Sequence, residues 1–392
     1  MQYKKEPMVL AFSGGLDTSF CAKYLMEKKN FEVHTVFVNT GGFDDEEMKR
    51  IEKRAYRLGI KHHEIIDVSQ KYFNECIRYL IFGNMLRNKT YPMSVSSERT
   101  FQALAVLEYA QKNNIRAIAH GSTGAGNDQV RFEMIFNILA PDITVHAPVR
   151  ELKLSRAEEK EYLIKAGISD DFTDYEYSIN QGLWGTSIGG KETLTSNLGL
   201  PGKAFPSQPK ANDESDLKIV FEKGELKGGI ETIRDLNKKG GAYAIGRGIH
   251  VGDTIIGIKG RVGFEAPAPL MIIQAHQALE KHVLSKWQLY WKDQLSEWYG
   301  MMLHEGQFLD PVMRNIESFL QHSQETVTGE VFLKLRPYSF SVEGISSKYD
   351  LMQASKAKYG EMNQGWTGED VRGFTRILGN AMRIYYSVNR MK

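Results

Sequence analysis

Seven consecutive residues near the start of the chain, Ser13-Gly14-Gly15-Leu16-Asp17-Thr18-Ser19, have the makings of a phosphate cradle. Two glycines let the backbone turn tightly and bring its N–H groups against a ligand, and a helix starting here adds partial positive charge. Ser13, Thr18 and Ser19 add hydroxyl donors. An ordinary turn capped by Asp17 or Thr18 would explain a bare Gly-Gly pair, but not seven such residues together. A second stretch runs His120-Gly121-Ser122-Thr123-Gly124-Ala125-Gly126-Asn127-Asp128-Gln129-Val130-Arg131-Phe132-Glu133. Its three glycines form a loop that can lie against a ligand, and a helix follows. Asn127 and Arg131, four apart, are neighbours on that helix, and Asp128 sits at its start. An amide, a carboxylate and a guanidinium therefore converge. Neither stretch is a P-loop or a G-x-G-x-x-G fingerprint, and Gly185…Gly190-Lys191 misses the former because Glu192 follows.

Positioning these groups requires a particular scaffold. Val9–Phe12, His34–Val38, Glu64–Val68 and Ala117–Ala119 read as strands, alternating with helices over Asp17–Lys29, Asp44–Leu58 and Glu98–Asn113. That alternation predicts an α/β fold with a parallel sheet covered on both faces. The helix after the second loop should bury Phe132, Ile135, Phe136 and Leu139. The texture changes near Gly167–Asp174, and the remainder reads as α+β. Leu198–Asp216 is a long loop, and Leu217–Phe221, Thr254–Ile258, Val331–Leu335 and Ser339–Val342 are strands. Pro269–Tyr299 is a long helix with Leu279, Val283, Trp287 and Tyr290 on one stripe. The last thirty residues carry Val371, Phe374, Leu378, Ala381, Met382, Tyr385 and Val388 on one amphipathic helix, which suits either its own domain or another subunit.

Composition narrows the function classes. The 392 residues include 50 basic and 48 acidic side chains, a net charge of +2, which does not suggest a nucleic-acid binder. Two cysteines, Cys21 and Cys76, leave no room for a disulfide framework or a Cys-based zinc site. No apolar run reaches the ~18 residues of a membrane helix, and Met8–Phe12 after Lys4 and Lys5 is too short for a signal peptide, so the expected compartment is the cytoplasm. His62-His63-Glu64 is not a metal motif, because adjacent strand residues point to opposite faces, and no metal ligand is assigned to the protein. His276 should be a packed histidine, Cys21 an inert buried thiol, and Trp287, Trp291 and Trp298 part of a core or interface.

The Ser-Gly-Gly-x-Asp-Thr loop resembles that of the ATP pyrophosphatases, in which it holds the β,γ-pyrophosphate that leaves as a substrate oxygen attacks the α-phosphate. With His120–Glu133, and with Tyr91…Ser96, Tyr175-Glu176-Tyr177-Ser178, Leu183-Trp184-Gly185-Thr186-Ser187 and Gly257-Ile258-Lys259, nearly the whole chain resembles argininosuccinate synthase. The resemblance implies a ligase that makes argininosuccinate from citrulline, aspartate and ATP through a citrullyl-adenylate. It implies a homotetramer with an ATP-binding domain (1–167), a synthetase domain (168–364) and a C-terminal oligomerisation helix (365–392). It carries ATP contacts onto Ala11, Phe12, Ser13, Gly14, Gly15, Leu16, Asp17, Thr18, Ser19, Val38 and Gly121. Thr123, Asn127 and Asp128 would hold aspartate. Tyr91, Ser96, Asn127, Arg131, Ser178 and Ser187 would hold citrulline, with Asp128, Arg131 and Asn127 the catalytic group. Mg²⁺ should accompany ATP, with Asp17 a contributor or a helix cap.

This chain departs from the family in the citrulline pocket. The usual carboxylate and tyrosine there are replaced by Gly252 and Phe264, and Gly182 and Gly260 are smaller than the family's residues. A pocket that loses charge and gains room fits a citrulline acylated on its α-amine, with Lys259 or Arg261 available to a succinyl carboxylate. Two other functions are weighed. A sulfur- or ammonia-transferring ATP pyrophosphatase would want paired reactive cysteines and a basic RNA surface. A non-catalytic adenine-nucleotide sensor would not need Asn127, Asp128 and Arg131.

Overall fold

The computed structural model describes residues 5–168, 177–355, 359–360 and 365–390. It separates into two units, Met1–Ser347 and Lys348–Lys392. In the first, strand β1 (Pro7–Ala11) carries Met8, Val9 and Leu10, all fully buried, as a central strand of a parallel sheet must be when helices cover both faces. With β2 (Glu32–Asn39), β3 (His62–Asp67), β4 (Ala117–Ala119) and β5 (Thr144–His146) it forms a parallel sheet in the order β3-β2-β1-β4-β5. The connections are α1 (Leu16–Glu27), α2 (Asp45–Arg57), a helical run of α3 (Ser69–Tyr72), a π-turn (Phe73–Ile77) and α4 (Arg78–Phe82), then α5 (Ser94–Lys112). After β4 come α6 (Asp128–Leu139), α7 (Pro148–Leu152) and α8 (Arg156–Lys165).

Alternate β1 residues serve opposite cores. Met8 and Leu10 pack with Phe20, Leu25 and Leu163 of α1 and α8, while Val9 packs with Val106, Ile135 and Phe136 of α5 and α6. Asp44 and Glu47 form a reciprocal capping box on α2, the kind of cap whose loss costs about 1 kcal/mol. The strand order reverses direction at β1, so the loops leaving β1 and β4 part at the carboxyl edge of the sheet. That divergence is where sheets of this topology hold ligands.

The rest of the first unit is α+β, as its texture predicts. Its elements are β6 (Ser178–Gly182), β7 (Gly185–Gly189), β8 (Ser215–Glu222), β9 (Glu225–Leu226), α9 (Gly229–Ala242), β10 (Arg247–Asp253) and β11 (Lys259–Glu265). They continue with α10 (Pro267–Val283), α11 (Lys286–His304), α12 (Pro311–Ser323), β12 (Gly329–Arg336) and β13 (Ser339–Ser346). Two antiparallel sheets result, ordered β10-β11-β7-β6 and β13-β12-β8-β9. Leu198–Asp216 is largely loop, although it holds a short 3-10 turn and β8 already begins at Ser215.

Several elements differ from the sequence reading, each for a local reason. The long helix over Pro269–Tyr299 is two helices, because Ser285 caps α11 by accepting from the Gln288 N–H. Leu279 and Val283 are buried on α10, but Trp287 and Tyr290 begin a new helix and are exposed, as are Trp291 and Trp298, so these tryptophans are not core. Thr254–Ile258 is the turn between β10 and β11, closed by Thr254 N–H to the Ile258 carbonyl at 2.7 Å. Leu139, at the frayed end of α6, is exposed. His276 is packed as expected, bonded to Asn84 at 2.8 Å and Gln324 at 2.9 Å. Cys21 and Cys76 are both free and buried, and burial pushes both thiols up.

In the second unit α13 (Leu351–Ala354) precedes α14 (Gly368–Leu378) and α15 (Asn380–Asn389), so the expected single terminal helix is two, meeting at Gly379. Val371, Phe374, Leu378, Met382, Tyr385 and Val388 are all exposed. Tyr175 and Glu176 lie outside the described residues, as do most of the Gly167–Asp174 transition and residues 361–364 before the expected tail boundary.

Candidate functional site

The loop after β1 folds as a cradle built from its own small side chains. Gly14 has φ +73°, a left-handed conformation that a β-carbon disfavours, and a β-carbon there would also come within 3.2 Å of Ile51. The Ser13 and Thr18 hydroxyls lie 3.2 Å apart, and the Ser13 hydroxyl accepts the Gly15 N–H at 3.3 Å. Gly15 occupies the N-cap position of α1 with no side-chain cap, so neither Asp17 nor Thr18 caps the helix. Its orphan N–H groups stay directed at whatever occupies the crevice. The Ser19 hydroxyl is buried with no hydrogen-bond partner among the described residues. Phe12, Leu16 and Val38 commit their side chains to the core, so only their backbones are left to meet a ligand.

Gly121 brings the second loop against the first. A β-carbon on it would stand 3.0 Å from the Thr18 methyl, so only glycine lets the β4 loop close on the start of α1. Thr123 is exposed in the following loop, where its carbonyl accepts the Gly126 N–H. Asn127 stands at the N-cap position of α6, yet its side chain makes no cap. Its Oδ1 instead accepts the Ile255 N–H at 2.9 Å, which fastens the β10–β11 turn to the crevice.

A chain of buried charges lies beneath the second loop. Asp128 accepts from Arg131 at 2.8 Å and from Arg99 at 2.9 Å. Arg99 also donates to Glu98 at 3.1 Å and to Asn180 of β6 at 3.1 Å. Arg131 sends two donors to the His304 carbonyl, at 2.9 and 2.8 Å. Burial works to raise the Asp128 pKa, but the two guanidiniums outweigh it and hold the carboxyl at about 2. Glu98 is wholly buried; desolvation pushes its carboxyl up to about 7, against the pull of Arg99 and a 2.6 Å hydrogen bond from Thr40. Arg131 is therefore a committed buried cation and not a solvated one.

The citrulline candidates gather next to this chain. Tyr91 is buried, its ring stacked on His250 at 5.2 Å and tilted against Phe264 at 5.6 Å. Ser96 hydrogen-bonds His304 at 3.2 Å, and His304 in turn lies edge-on to Tyr91. Cross-strand pairing of Asn180 with Ser187, Ser187 with Phe264, and Phe264 with Gly248 sets these residues on one sheet face. Ser178, two residues before Asn180, shares that face. Burial and nearby Arg131 and Arg87 depress His304 to about 3, and burial with Arg87 depresses His250, so both are neutral imidazoles.

The room expected from the small residues is partly taken. A β-carbon at Gly182 would lie 2.5 Å from a Glu98 carboxylate oxygen, and one at Gly252 2.7 Å from the His250 ring. Only Gly260 faces open space, with one methyl at 3.7 Å. Lys259 pairs with Asp253 at 2.6 Å, and Arg261 donates to carbonyls of the 192–198 loop, including Leu198 at 2.9 Å. Sequence reasoning missed Arg99, Glu98, His250 and His304. Arg99 had a usable signal, lying one helical turn beyond Ser96. Nothing local marks the other three, which arrive from elements far apart in the chain.

A parallel sheet with a glycine–hydroxyl cradle at its reversal point and buried charges beside it defines a nucleotide-dependent enzyme of the HUP type. Residues 7–169 match the family described as Arginosuccinate synthase N-terminal HUP domain, and residues 177–385 match Arginosuccinate synthase C-terminal domain. The chain is 36% identical to an argininosuccinate synthase of Dictyoglomus thermophilum over 97% of its own length and 98% of the relative's. It is 36% identical to that of Xylella fastidiosa, covering 98% of each chain. The identity to that of Methanocaldococcus jannaschii is also 36%, over 90% and 91%. This chain belongs to the argininosuccinate synthase family.

Glu98 makes the site's stability sensitive to pH. Because its pKa is raised from 4.5 to about 7 by folding, the folded state holds a proton that the unfolded chain has released between those values. Its contribution is full below about pH 4.5 and is lost as pH rises through about 7, at up to ~1.4 kcal/mol per pH unit. Glu98→Gln is expected to flatten this fall. Denaturant unfolding at intervals from pH 5 to about 8 checks it, parallel pH dependences in both proteins being the contrary result.

Proposed function

We propose that this protein is an ATP-dependent ligase of arginine biosynthesis that joins aspartate to citrulline, releasing pyrophosphate and then AMP. The observation that carries the reading is the meeting of the two loops at the β1–β4 divergence, beside the buried Glu98–Arg99–Asp128–Arg131 chain. The ureido oxygen of citrulline attacks the α-phosphate of ATP, and the bond to the β-phosphate oxygen breaks. The aspartate amine then attacks the ureido carbon of the citrullyl-adenylate, loses a proton, and AMP leaves with the bridging oxygen. The first step asks for little proton transfer, so positioning and fixed charge dominate, which suits a site of glycines, hydroxyls, amides and arginines.

The roles are those the family resemblance carries onto these residues, and the meeting of the two loops supports them. Backbone groups of Ala11–Ser19 with Gly121 cradle the phosphates, and Val38 borders the nucleotide. Thr123, Asn127 and Asp128 hold aspartate, while Tyr91, Ser96, Asn127, Arg131, Ser178 and Ser187 hold citrulline. Mg²⁺ would accompany ATP and would neutralise charge on the pyrophosphate. The Asp17 carboxyl shares a hydrogen bond with buried Glu159 of α8, so such an ion would take its ligands mostly from phosphate and water. Buried Cys21 and Cys76 speak against a sulfur-transferring relative, and the investment in Asn127, Asp128 and Arg131 against a mere nucleotide sensor.

The three-part division at 167/168 and 364/365 and a cytoplasmic location remain part of this reading. The family matches over 7–169 and 177–385 support the first boundary. Among the described residues no helix is long and apolar enough to cross a membrane. The exposed stripe of α14 and α15 is an unusual apolar surface for an isolated chain and supports an oligomerising tail in a homotetramer. Truncation after Gly365 should lower the assembly state, and light scattering that finds the tetramer intact would refute the tail's role.

Variants separate the two halves of the site. Asp128→Ala strands two buried guanidiniums at roughly 3 kcal/mol, the low end for a buried pair because Asp128 is partly exposed, so Asp128→Asn is measured alongside it. Asp128→Asn and Arg131→Ala should abolish ligation while ATP still binds. Gly14→Val should abolish ATP binding, since its side chain enters the phosphate space and strains a φ of +73°. Pyrophosphate release and nucleotide titration on the four variants decide between this pattern and its reverse.

The acceptor is proposed to be citrulline itself. Glu98 fills the volume at Gly182, His250 fills the space at Gly252, and Lys259 and Arg261 are already engaged, so the room and cations that an acyl group would use are taken. Comparing kcat/KM for citrulline with its N-acetyl and N-succinyl forms should favour the free amino acid by tenfold or more. A preference for an acylated form would reverse the assignment while leaving the ligase chemistry in place.

A further inference from the structure

A cluster away from the crevice has the donor set of a metal site. Strands β2 and β3 pair in parallel with His34 opposite His62, and Glu32 lies two residues before His34 on the same face. Sequence adjacency hides this arrangement, since His63 points to the other face and hydrogen-bonds Thr35 at 2.8 Å. The His34 and His62 rings stack with centroids 4.3 Å apart and planes 20° from parallel. A Glu32 carboxylate oxygen stands 3.5 Å from His62 Nε2. One potential ligand atom from each of the three lies within 4.8 Å of the others, the one such group among the described residues.

We propose that Glu32, His34 and His62 bind a divalent transition-metal ion of the Zn²⁺ class, with solvent in the fourth position. Two imidazoles and one carboxylate are borderline ligands, which suit Zn²⁺ and its neighbours far better than Mg²⁺ or Ca²⁺. Ligands at ~2.1 Å from a tetrahedral centre stand about 3.4 Å apart, so closure asks the His62 ring to turn out of its stack with His34 until both nitrogen lone pairs and the Glu32 carboxylate meet at one point. Exposed His62 can make that turn without moving backbone. His34 Nδ1 meets the Tyr109 hydroxyl at 3.1 Å, which holds its ring and leaves Nε2 as the ligand nitrogen.

The site is four residues from Val38 along β2, about 13 Å from the carboxyl edge where the crevice opens. The ion would therefore tie the edge strand β3 to β2 and stabilise the sheet without entering the reaction. Zn²⁺ alone, titrated into chelator-treated full-length protein with a competing chromophoric chelator, should bind at one ion per chain and raise Tm. His62→Ala, at an exposed position, and His34→Ala should each weaken binding at least tenfold and remove the Tm rise. His322→Ala, which alters an exposed histidine on α12, should change neither. Co²⁺ in the wild-type protein should show the visible absorption of a tetrahedral site. Absence of saturable one-equivalent binding, or binding that survives His34→Ala and His62→Ala, overturns the proposal.

Discussion

The site depends on one buried chain of alternating charge. Glu98, Arg99, Asp128 and Arg131 run in sequence, each in contact with the next, and the arginines end on Asn180 and the His304 carbonyl. Such a chain is costly to bury and is tolerable only when every member is satisfied. Those contacts reach α5, α6, β6 and α11, so the position of the catalytic candidates is set jointly by both halves of the first unit. Loosening one link would leave a charge with fewer partners where solvent screens it poorly.

Around that chain, glycine decides how closely backbones approach. Gly121 lets the β4 loop meet the start of α1, and Gly182 leaves the volume that the Glu98 carboxylate occupies. Gly14 adopts the left-handed turn that aims the cradle inward. These are three separate uses of a missing side chain: close packing, room for a buried acid, and backbone conformation. The hairpin of β10 and β11 is fastened to the same place by Asn127, so a residue expected to serve a substrate also holds the wall of its pocket.

Neutral rings gather beside the charged chain. Tyr91, His250, Phe264 and His304 form a connected aromatic group, with both imidazoles held uncharged by burial and neighbouring arginines. Fixed positive charge from Arg131 stands beside it.

Much was legible from the chain alone. Four strands of the parallel sheet, the first two helices and the Gly-Gly turn followed from apolar runs, helical spacing and glycine chemistry, because these depend on neighbours a few residues away, whereas three-residue β5 is too short to carry a pattern and was not read. The convergence of Asn127, Asp128 and Arg131 was also local, set by one turn of helix. What failed were places where a local break beat a long-range pattern, a side-chain cap at Ser285 and a glycine at Gly379, and stripes whose burial depends on what lies opposite, as with Trp287 and Leu139. The partners of Arg99, the filling of Gly182 by Glu98, and the facing of His34 with His62 were settled only by tertiary structure. Each joins residues from different elements, and strand register or helix docking, which no local spacing encodes, determines whether they meet.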